Sequence, residues 1–273
     1  MATVTTSDGT ELFYTDWGDG RPAVLIHGWP LSADMWSDQA VFLAQNGVRT
    51  IAYDRRGFGR SSQPWTGYDY DTLAGDLATI IDTLGLENVT LVGFSMGGGE
   101  VARYLGRFGG SRVAGAALVS AVTPYLLKTE DNPTGVDESV FDEMLEGLNQ
   151  DRPHFLANFG AKFYGNGWLE KNVSAEMLQW SLQMAMTGSL QATLECARAF
   201  ATTDFRADMA AFTMPTLIIH GTADQTVPID ASARVAARMI NGSTLIEYDG
   251  EPHGLHATAK ARLNEDLLAF VAR

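Results

Sequence analysis

The sequence predicts an α/β protein in which a mostly parallel central sheet is flanked by helices and interrupted by an inserted helical segment. Short apolar runs rich in β-branched residues alternate with longer amphipathic or alanine-rich segments. This alternation stops between residues 124 and 212, where aromatic residues lie among helical-looking stretches. The chain has 273 residues, 45% of them hydrophobic, which is enough for one large core.

The apolar runs give the candidate strands, and the amphipathic segments give the candidate helices. The strands are Glu11–Asp16, Ala23–His27, Arg49–Asp54, Val89–Phe94, Val113–Ser120, Thr216–His220 and Thr244–Tyr248. The helices are Tyr70–Leu84, Gly97–Phe108, Ile229–Met239 and Lys260–Ala272. Because strands and helices alternate along the chain, we expect a largely parallel sheet with helices on both faces.

The segment 124–212 is predicted to be an inserted helical cap, so that residues 1–123 and 213–273 form the core domain. Proline and glycine residues are expected to break the cap into several short helices. These residues are Pro133, Gly135, Pro153, Gly160, Gly165 and Gly167. The aromatic residues of the segment are Phe141, Phe155, Phe159, Phe163, Tyr164, Trp168 and Trp180.

Composition and charge argue against several classes of protein. A formal net charge of −14 repels phosphate groups, so we do not expect nucleic-acid binding. The single cysteine, Cys196, cannot form an intrachain disulfide, and no Cys/His cluster has the spacing of zinc ligands. No apolar run approaches membrane-spanning length, and the N-terminus has no secretory pattern. We therefore expect a cytoplasmic protein with neither a metal site nor a membrane contact.

A candidate nucleophile, Ser95, lies between a predicted strand and a predicted helix in the run Gly-Phe-Ser-Met-Gly at 93–97. The strand Val89–Phe94 runs directly into the serine, which is the strand, turn and helix context of a nucleophile elbow. The flanking glycines leave room for the crowded backbone of such a turn. The free amides at the start of the following helix favour an oxyanion. The pattern therefore predicts that Ser95 is a catalytic nucleophile.

A serine hydroxyl needs a general base, which must itself be oriented by a carboxylate. Asp224 follows the predicted strand Thr216–His220, and His253 follows the last strand. Ser95, Asp224 and His253 are therefore expected at the same edge of the sheet, because the carboxyl ends of parallel strands meet there. Their order along the chain is that of α/β-type serine hydrolases.

Other titratable residues compete for these two roles. His256 is an alternative base, but His253 lies directly on the loop that leaves the strand. Asp249 and Glu251 are alternative carboxylates, but both are too close in sequence to His253 to reach around its ring. The remaining histidines are expected to be structural or on the surface: His27, His220 and His154.

Backbone amides from two loops are expected to form an oxyanion hole. One is the amide of Met96, the residue after the nucleophile, and the other is that of Trp29 in the loop His-Gly-Trp-Pro at 27–30. Pro30 has no N–H and restricts the backbone of Trp29. We therefore expect the Trp29 carbonyl to point in a fixed direction beside the reacting centre, although Pro30 would equally well only stiffen the loop.

Motifs along nearly the whole chain resemble those of the α/β-hydrolase superfamily, and more narrowly those of bacterial aryl esterases and cofactor-free haloperoxidases, or perhydrolases. They are His-Gly-Trp-Pro at 27–30, Asp-Arg-Arg-Gly at 54–57, Gly-Phe-Ser-Met-Gly-Gly-Gly-Glu at 93–100, His-Gly-Thr-Ala-Asp at 220–224 and Pro-His-Gly-Leu at 252–255. The resemblance implies that Ser95 is the nucleophile, His253 the base and then the acid, and Asp224 its orienting partner. It also implies that Trp29 and Met96 are the amide donors.

The resemblance further implies a reaction and its partners. Such enzymes cleave short acyl esters, often of phenols, through an acyl-serine intermediate and without a metal or cofactor. Hydrogen peroxide can replace water as the acceptor, and the resulting peracid oxidises halide. The expected partner is a small-molecule ester. The resemblance also allows a homo-oligomer, although no self-complementary patch is apparent in the sequence.

An apolar pocket for a small acyl chain and a flat leaving group is expected beneath the cap. The candidate lining residues are Pro30, Tyr125, Phe159, Phe163 and Val227. The aromatic members of this set would serve equally well as the core of the cap.

Two other functions stay open at this point. Relatives that open γ-lactams share much of the pattern, so the same residues would also suit the hydrolysis of a γ-lactam or the cleavage of another bond. The second alternative is a non-catalytic binding module on the same fold. Epoxide hydrolases and haloalkane dehalogenases are disfavoured, because they resemble this fold but need an aspartate where Ser95 stands.

Overall fold

The computed structural model describes residues 2–167 and 172–272, and a single sheet lies at the centre of this part of the chain. Its strands are β1 (Thr3–Thr5), β2 (Glu11–Trp17), β3 (Arg21–Ile26), β4 (Val48–Tyr53), β5 (Val89–Phe94), β6 (Val113–Val119), β7 (Thr216–Gly221) and β8 (Thr244–Tyr248). Their order in the sheet is β1-β2-β4-β3-β5-β6-β7-β8. The pairings that involve β1 and β2 are antiparallel, and those from β4 to β8 are parallel.

Helices connect the strands and cover both faces of the sheet. They are α1 (Ser37–Gln45), α2 (Tyr70–Thr83), α3 (Met96–Phe108), α4 (Glu138–Phe163), α5 (Ala175–Met186), α6 (Leu190–Thr202), α7 (Ala233–Met239), α8 (Leu255–Thr258) and α9 (Lys260–Val271). None of the described helices is long and apolar enough to cross a membrane.

The two faces of the sheet build two core layers. Along β3, Val24 and Ile26 pack with α2 and α3, whereas Ala23 and Leu25 pack with α1 and α9. Successive side chains of a strand point to opposite faces, and here both faces are buried. This explains why the central strands read as continuous apolar runs rather than as an alternating pattern.

The predicted fold class is confirmed, and every predicted core element corresponds to an observed one. The prediction omitted β1, α1 and the four-residue helix α8. β1 spans only three residues, of which one is buried. α1 follows directly on a short 3-10 turn, and no side chain caps its first residue. The sequence therefore lacks the N-terminal signal by which such a helix is recognised. The helix expected over Ile229–Met239 also begins later, at Ala233.

The segment between β6 and β7 has longer helices than expected. α4 has a non-helical backbone only at Asp151, whose carboxylate accepts a hydrogen bond from the amide of His154 at 3.0 Å and caps the second half. Pro153 lies at the start of that half, where a missing N–H costs nothing. The helix continues through Gly160, because an isolated glycine costs only about 1 kcal/mol. The prediction of a break at Gly160 was therefore wrong. Trp168 lies outside the described residues.

Candidate active site

Ser95 occupies a strained turn between β5 and α3. Its backbone angles are φ 53° and ψ −118°, a region that L-residues rarely adopt. A Cβ atom at Gly93 would lie 2.5 Å from the carbonyl oxygen of Gly97, and one at Gly97 would lie 2.5 Å from that of Ile26. Both positions therefore require glycine, because neighbouring backbone fills the space where a side chain would stand.

The hydroxyl of Ser95 is the first of three groups in hydrogen-bonding contact. Ser95 Oγ lies 3.0 Å from His253 Nε2, and His253 Nδ1 lies 2.6 Å from Asp224 Oδ2. All three residues are buried, and His253 is only 1% exposed. They follow β5, β7 and β8 at the carboxyl edge of the sheet. In this arrangement the imidazole can accept the serine proton while the carboxylate stabilises the imidazolium.

Hydrogen-bond donors surround the carboxylate of Asp224. Its Oδ1 accepts the amides of Thr226 and Val227, both at 2.8 Å. Its Oδ2 faces both His253 and His220. Burial alone would raise the pKa of Asp224, but the charge of His253 and the hydrogen bonds from both histidines hold this pKa well below its ordinary value. The carboxylate is therefore charged at neutral pH.

The rival residues lie in other surroundings. His256 Nε2 is 3.3 Å from the hydroxyl of Tyr164. Burial, with a smaller contribution from the charge of His253, lowers the pKa of His256 to about 3. Asp249 is exposed, and its carboxylate lies 3.3 Å from the hydroxyl of Thr222. In the described part of the chain, the imidazole in contact with Ser95 is that of His253.

The loop at 27–30 lies against the nucleophile. A Cβ atom at Gly28 would lie 2.6 Å from the ring of Phe94 and 3.1 Å from Ser95 Cβ. Across residues 2–167 and 172–272, the backbone N–H groups of Trp29 and Met96 donate to no protein acceptor. These are the two amides expected to form the oxyanion hole.

A buried ion pair between Arg55 and Glu100 fastens this loop to α3, and the side chains of both residues are at most 1% exposed. Arg55 Nη2 donates to the carbonyl of His27 at 2.6 Å, and the Arg55 amide donates to His27 Nε2 at 2.9 Å. The hydroxyl of Tyr53 donates to Glu100 at 2.6 Å. The pair therefore connects the end of β4, the loop at 27–30 and the helix that follows Ser95. His27 is structural because its ring and its carbonyl both accept hydrogen bonds from Arg55.

Replacing Glu100 with glutamine should lower the free energy of unfolding by about 3–5 kcal/mol, because it leaves the Arg55 charge buried without a negatively charged partner. Urea denaturation measures this loss. Glu87→Gln is the matched control: Glu87 is 62% exposed where it pairs with Arg112. The control should cost less than about 1 kcal/mol. Equal losses in the two variants would contradict the importance of the buried pair.

A small apolar cavity of about 20 Å³ lies beside the loop at 27–30. Its lining includes three of the predicted pocket residues, Pro30, Phe159 and Phe163. The ring of Phe163 also meets the ring of His253 edge to face, with 4.8 Å between centroids. Phe163 therefore contacts both the cavity and the histidine that lies against Ser95.

Two predicted pocket residues lie elsewhere and do not line this cavity. The guanidinium of Arg206 stands over the ring of Tyr125, 5.1 Å from its centroid. Val227 is buried, and its amide is one of the donors to Asp224. Val227 therefore contacts the Asp224 carboxylate through its backbone amide and not through its side chain.

Sequence reasoning missed two contacts of the site. The indole Nε1 of Trp29 donates to the carbonyl of Thr193 on α6 at 2.9 Å, and its ring packs edge to face on Phe159 and Phe200. His220 contacts Asp224, although it was expected to be only structural. The sequence did contain a signal for this contact, because His220 lies four residues before Asp224, near the end of the strand that leads to it.

No group of three or more His, Cys, Asp or Glu side chains among the described residues is placed to hold a metal ion.

The chain is similar to known proteins along nearly its whole length. Residues 22–259 match the family model described as the alpha/beta hydrolase fold. A non-heme haloperoxidase of Rhodococcus erythropolis is 46% identical over 272 residues, covering 99% of each chain. A bifunctional esterase/perhydrolase of Acinetobacter calcoaceticus is 42% identical over 275 residues, again covering 99% of each chain.

Solved structures show the same relationship. The crystal structure of bromoperoxidase from Bacillus anthracis has a TM-score of 0.97 and 44% identity, and the match covers 100% of this chain and 99% of that chain. An esterase from Exiguobacterium antarcticum has a TM-score of 0.95 and 35% identity, covering 100% and 99% of the two chains. The chain therefore belongs to the α/β-hydrolase family, in the group that includes non-heme haloperoxidases and esterase/perhydrolases.

Proposed function

We propose that the protein is a serine hydrolase that cleaves short-chain acyl esters, including aryl esters, through an acyl-Ser95 intermediate. It passes the acyl group to water and, as a perhydrolase, to hydrogen peroxide. The observation that carries this proposal is the unbroken contact from Ser95 through His253 to Asp224. The relatives named as esterase/perhydrolase and non-heme haloperoxidase support it, and they do not favour the lactam alternative.

In the acylation step, Ser95 Oγ attacks the ester carbonyl carbon while His253 Nε2 takes its proton. The amides of Trp29 and Met96 stabilise the oxyanion of the tetrahedral intermediate. Each such donor contributes about 2.7–4 kcal/mol in the transition state. His253 then gives its proton to the leaving alcohol or phenol, and the charge of Asp224 stabilises the imidazolium between the two transfers.

In the deacylation step, His253 takes a proton from water or hydrogen peroxide, and the oxygen of that acceptor attacks the acyl carbon. The bond to Ser95 Oγ breaks, and His253 returns the proton to the serine. Water gives a carboxylic acid, and peroxide gives a peracid. The peracid oxidises halide in solution and is reduced to the acid, so the protein itself changes no oxidation state.

The acyl pocket is proposed to comprise Pro30, Phe159 and Phe163. Phe163 of this set contacts the ring of His253, and the apolar lining of their cavity supports a short acyl chain. Residues 124–212 are proposed to form the cap, because α4 supplies both phenylalanines. A cytoplasmic location is also proposed, supported by a chain whose lone cysteine is a buried thiol.

Three parallel assays test the proposed function. The protein should release p-nitrophenol from p-nitrophenyl acetate. With hydrogen peroxide and bromide it should brominate a dye only when acetate is present, because acetate must first acylate Ser95. Bromination that is independent of acetate would contradict the peracid route. Turnover of a γ-lactam without turnover of the aryl ester would overturn the esterase proposal.

A further inference from the structure

A second histidine, His220, reaches the carboxylate of Asp224. It lies near the end of β7 and is fully buried. Its Nε2 is 2.8 Å from the carbonyl oxygen of Val227 and 3.1 Å from Asp224 Oδ2. That carboxylate oxygen is the one that faces His253. Two imidazoles therefore share one oxygen of Asp224.

The surroundings of His220 determine where its proton lies. Both neighbours of Nε2, the Val227 carbonyl and the Asp224 carboxylate, are acceptors, so Nε2 carries the hydrogen; it donates to the carbonyl and faces the carboxylate at 3.1 Å. Nδ1 is buried and has no partner among the described residues. A proton on Nδ1 would create a buried, unpaired N–H, which is costly. The nitrogen of His220 that carries its proton is therefore the one that faces Asp224 and Val227.

We propose that His220 is a positioning residue that holds Asp224 Oδ2 in the direction of His253 Nδ1. The inference rests on the proposed function, in which Asp224 orients His253. The amides at 226 and 227 hold Oδ1, and without His220 the second oxygen would face His253 alone among the residues that the structure describes. With donors on both oxygens, the carboxylate is held against rotation about its Cβ–Cγ bond.

The position of His220 suits this role. Asp224 lies on the loop after β7, whereas the backbone of His220 belongs to the strand itself and pairs with Glu247 of β8. A donor on a strand keeps its place better than one on a loop. A carboxylate oxygen can accept more than one donor. His220 therefore occupies one acceptor site of Oδ2 and leaves another for His253.

A pair of nearly isosteric variants tests the inference. Methionine and glutamine have similar length, but only glutamine carries an N–H near the position of Nε2. We expect His220→Met to lower kcat/KM for p-nitrophenyl acetate by about tenfold or more, the scale of a lost hydrogen bond to a charged group. His220→Gln should recover most of this loss.

The pH profile separates positioning from a purely structural role. In His220→Met, the Asp224 carboxylate has one neighbouring N–H fewer and attracts the proton of the His253 imidazolium more strongly. The acid limb, which is the fall of kcat/KM toward acidic pH, should therefore move to higher pH. In His220→Gln it should stay at the wild-type position. A purely structural loss would lower kcat/KM in both variants without moving the limb.

The other titratable groups that face this pair do not obscure the acid limb. His256 and His253 both contact the ring of Phe94, and burial lowers the pKa of His256 to about 3. Glu247 lies beside His220 on β8, and its ion pair with Arg234 at 2.6 Å lowers its pKa. Neither group changes its charge near neutral pH.

The outcomes distinguish the two proposals. A wild-type protein without esterase activity would overturn the proposed function. An active wild type with equal kcat/KM and an equal acid limb in His220→Met would overturn the inference about His220 alone, as would equal losses in both variants. Should His220→Met fail to fold, as measured by thermal unfolding, His220→Asn takes its place, because its shorter amide cannot reach Oδ2.

Discussion

Replacing Ser95 with alanine should lower kcat for p-nitrophenyl acetate by roughly a millionfold, the loss seen when the nucleophile of a serine hydrolase is removed. The variant keeps His253 and Asp224 but has no oxygen to accept the acyl group. Any remaining rate would come from substrate binding and the oxyanion hole alone. The measurement is p-nitrophenol release at saturating substrate.

The control for this variant is Ser111→Ala, because Ser111 is exposed. It should keep the wild-type rate. A fluorophosphonate probe should label the wild type and Ser111→Ala but not Ser95→Ala. Near wild-type turnover by Ser95→Ala would remove the basis for an acyl-serine mechanism.

Asp224→Asn should lower kcat by about ten-thousandfold, as such a change does in other enzymes with these three residue types. The reason lies in the donors around Oδ1. The amides of Thr226 and Val227 both require an acceptor there, so the asparagine must turn its NH₂ group toward His253 Nδ1. The imidazole would then carry its proton on Nε2, where it must accept the proton of Ser95.

Asp249→Asn is the matched control for that variant, because Asp249 is a nearby carboxylate that is exposed to solvent. Its kcat should stay within about threefold of the wild type, as expected for a surface substitution away from the reacting groups. A large loss in Asp249→Asn, together with a small loss in Asp224→Asn, would reverse the assignment of the orienting carboxylate.

Much of the candidate site could be predicted from the sequence because its residues follow strands. Ser95 comes directly after β5, whereas Asp224 and His253 lie on the loops that follow β7 and β8, and parallel strands bring their carboxyl ends to one edge. The glycines at 93 and 97 also have a local cause, since the turn at Ser95 leaves no space for a Cβ atom. Such features depend on neighbours in sequence or in the sheet.

Two kinds of contact were not revealed by the sequence, one between distant parts of the chain and one that depends on side-chain orientation. The hydrogen bond from Trp29 to the carbonyl of Thr193 spans 164 positions, and no periodicity encodes it. The contact between His220 and Asp224 is local in sequence, but it depends on the orientation of the imidazole ring, which the sequence does not specify. The places of Tyr125 and Val227 depend likewise on how the segment between β6 and β7 packs over the sheet.

Rapid quenching of the reaction with p-nitrophenyl acetate, followed by peptide mass spectrometry, tests the central claim most directly. We expect a burst of p-nitrophenol that matches the enzyme concentration, with an acetyl group on the peptide that contains Ser95. Hydrogen peroxide added before quenching should remove this acetyl group and produce peracetic acid. Steady turnover of the ester with no acetyl group on Ser95, or with the group on another residue, would contradict the account.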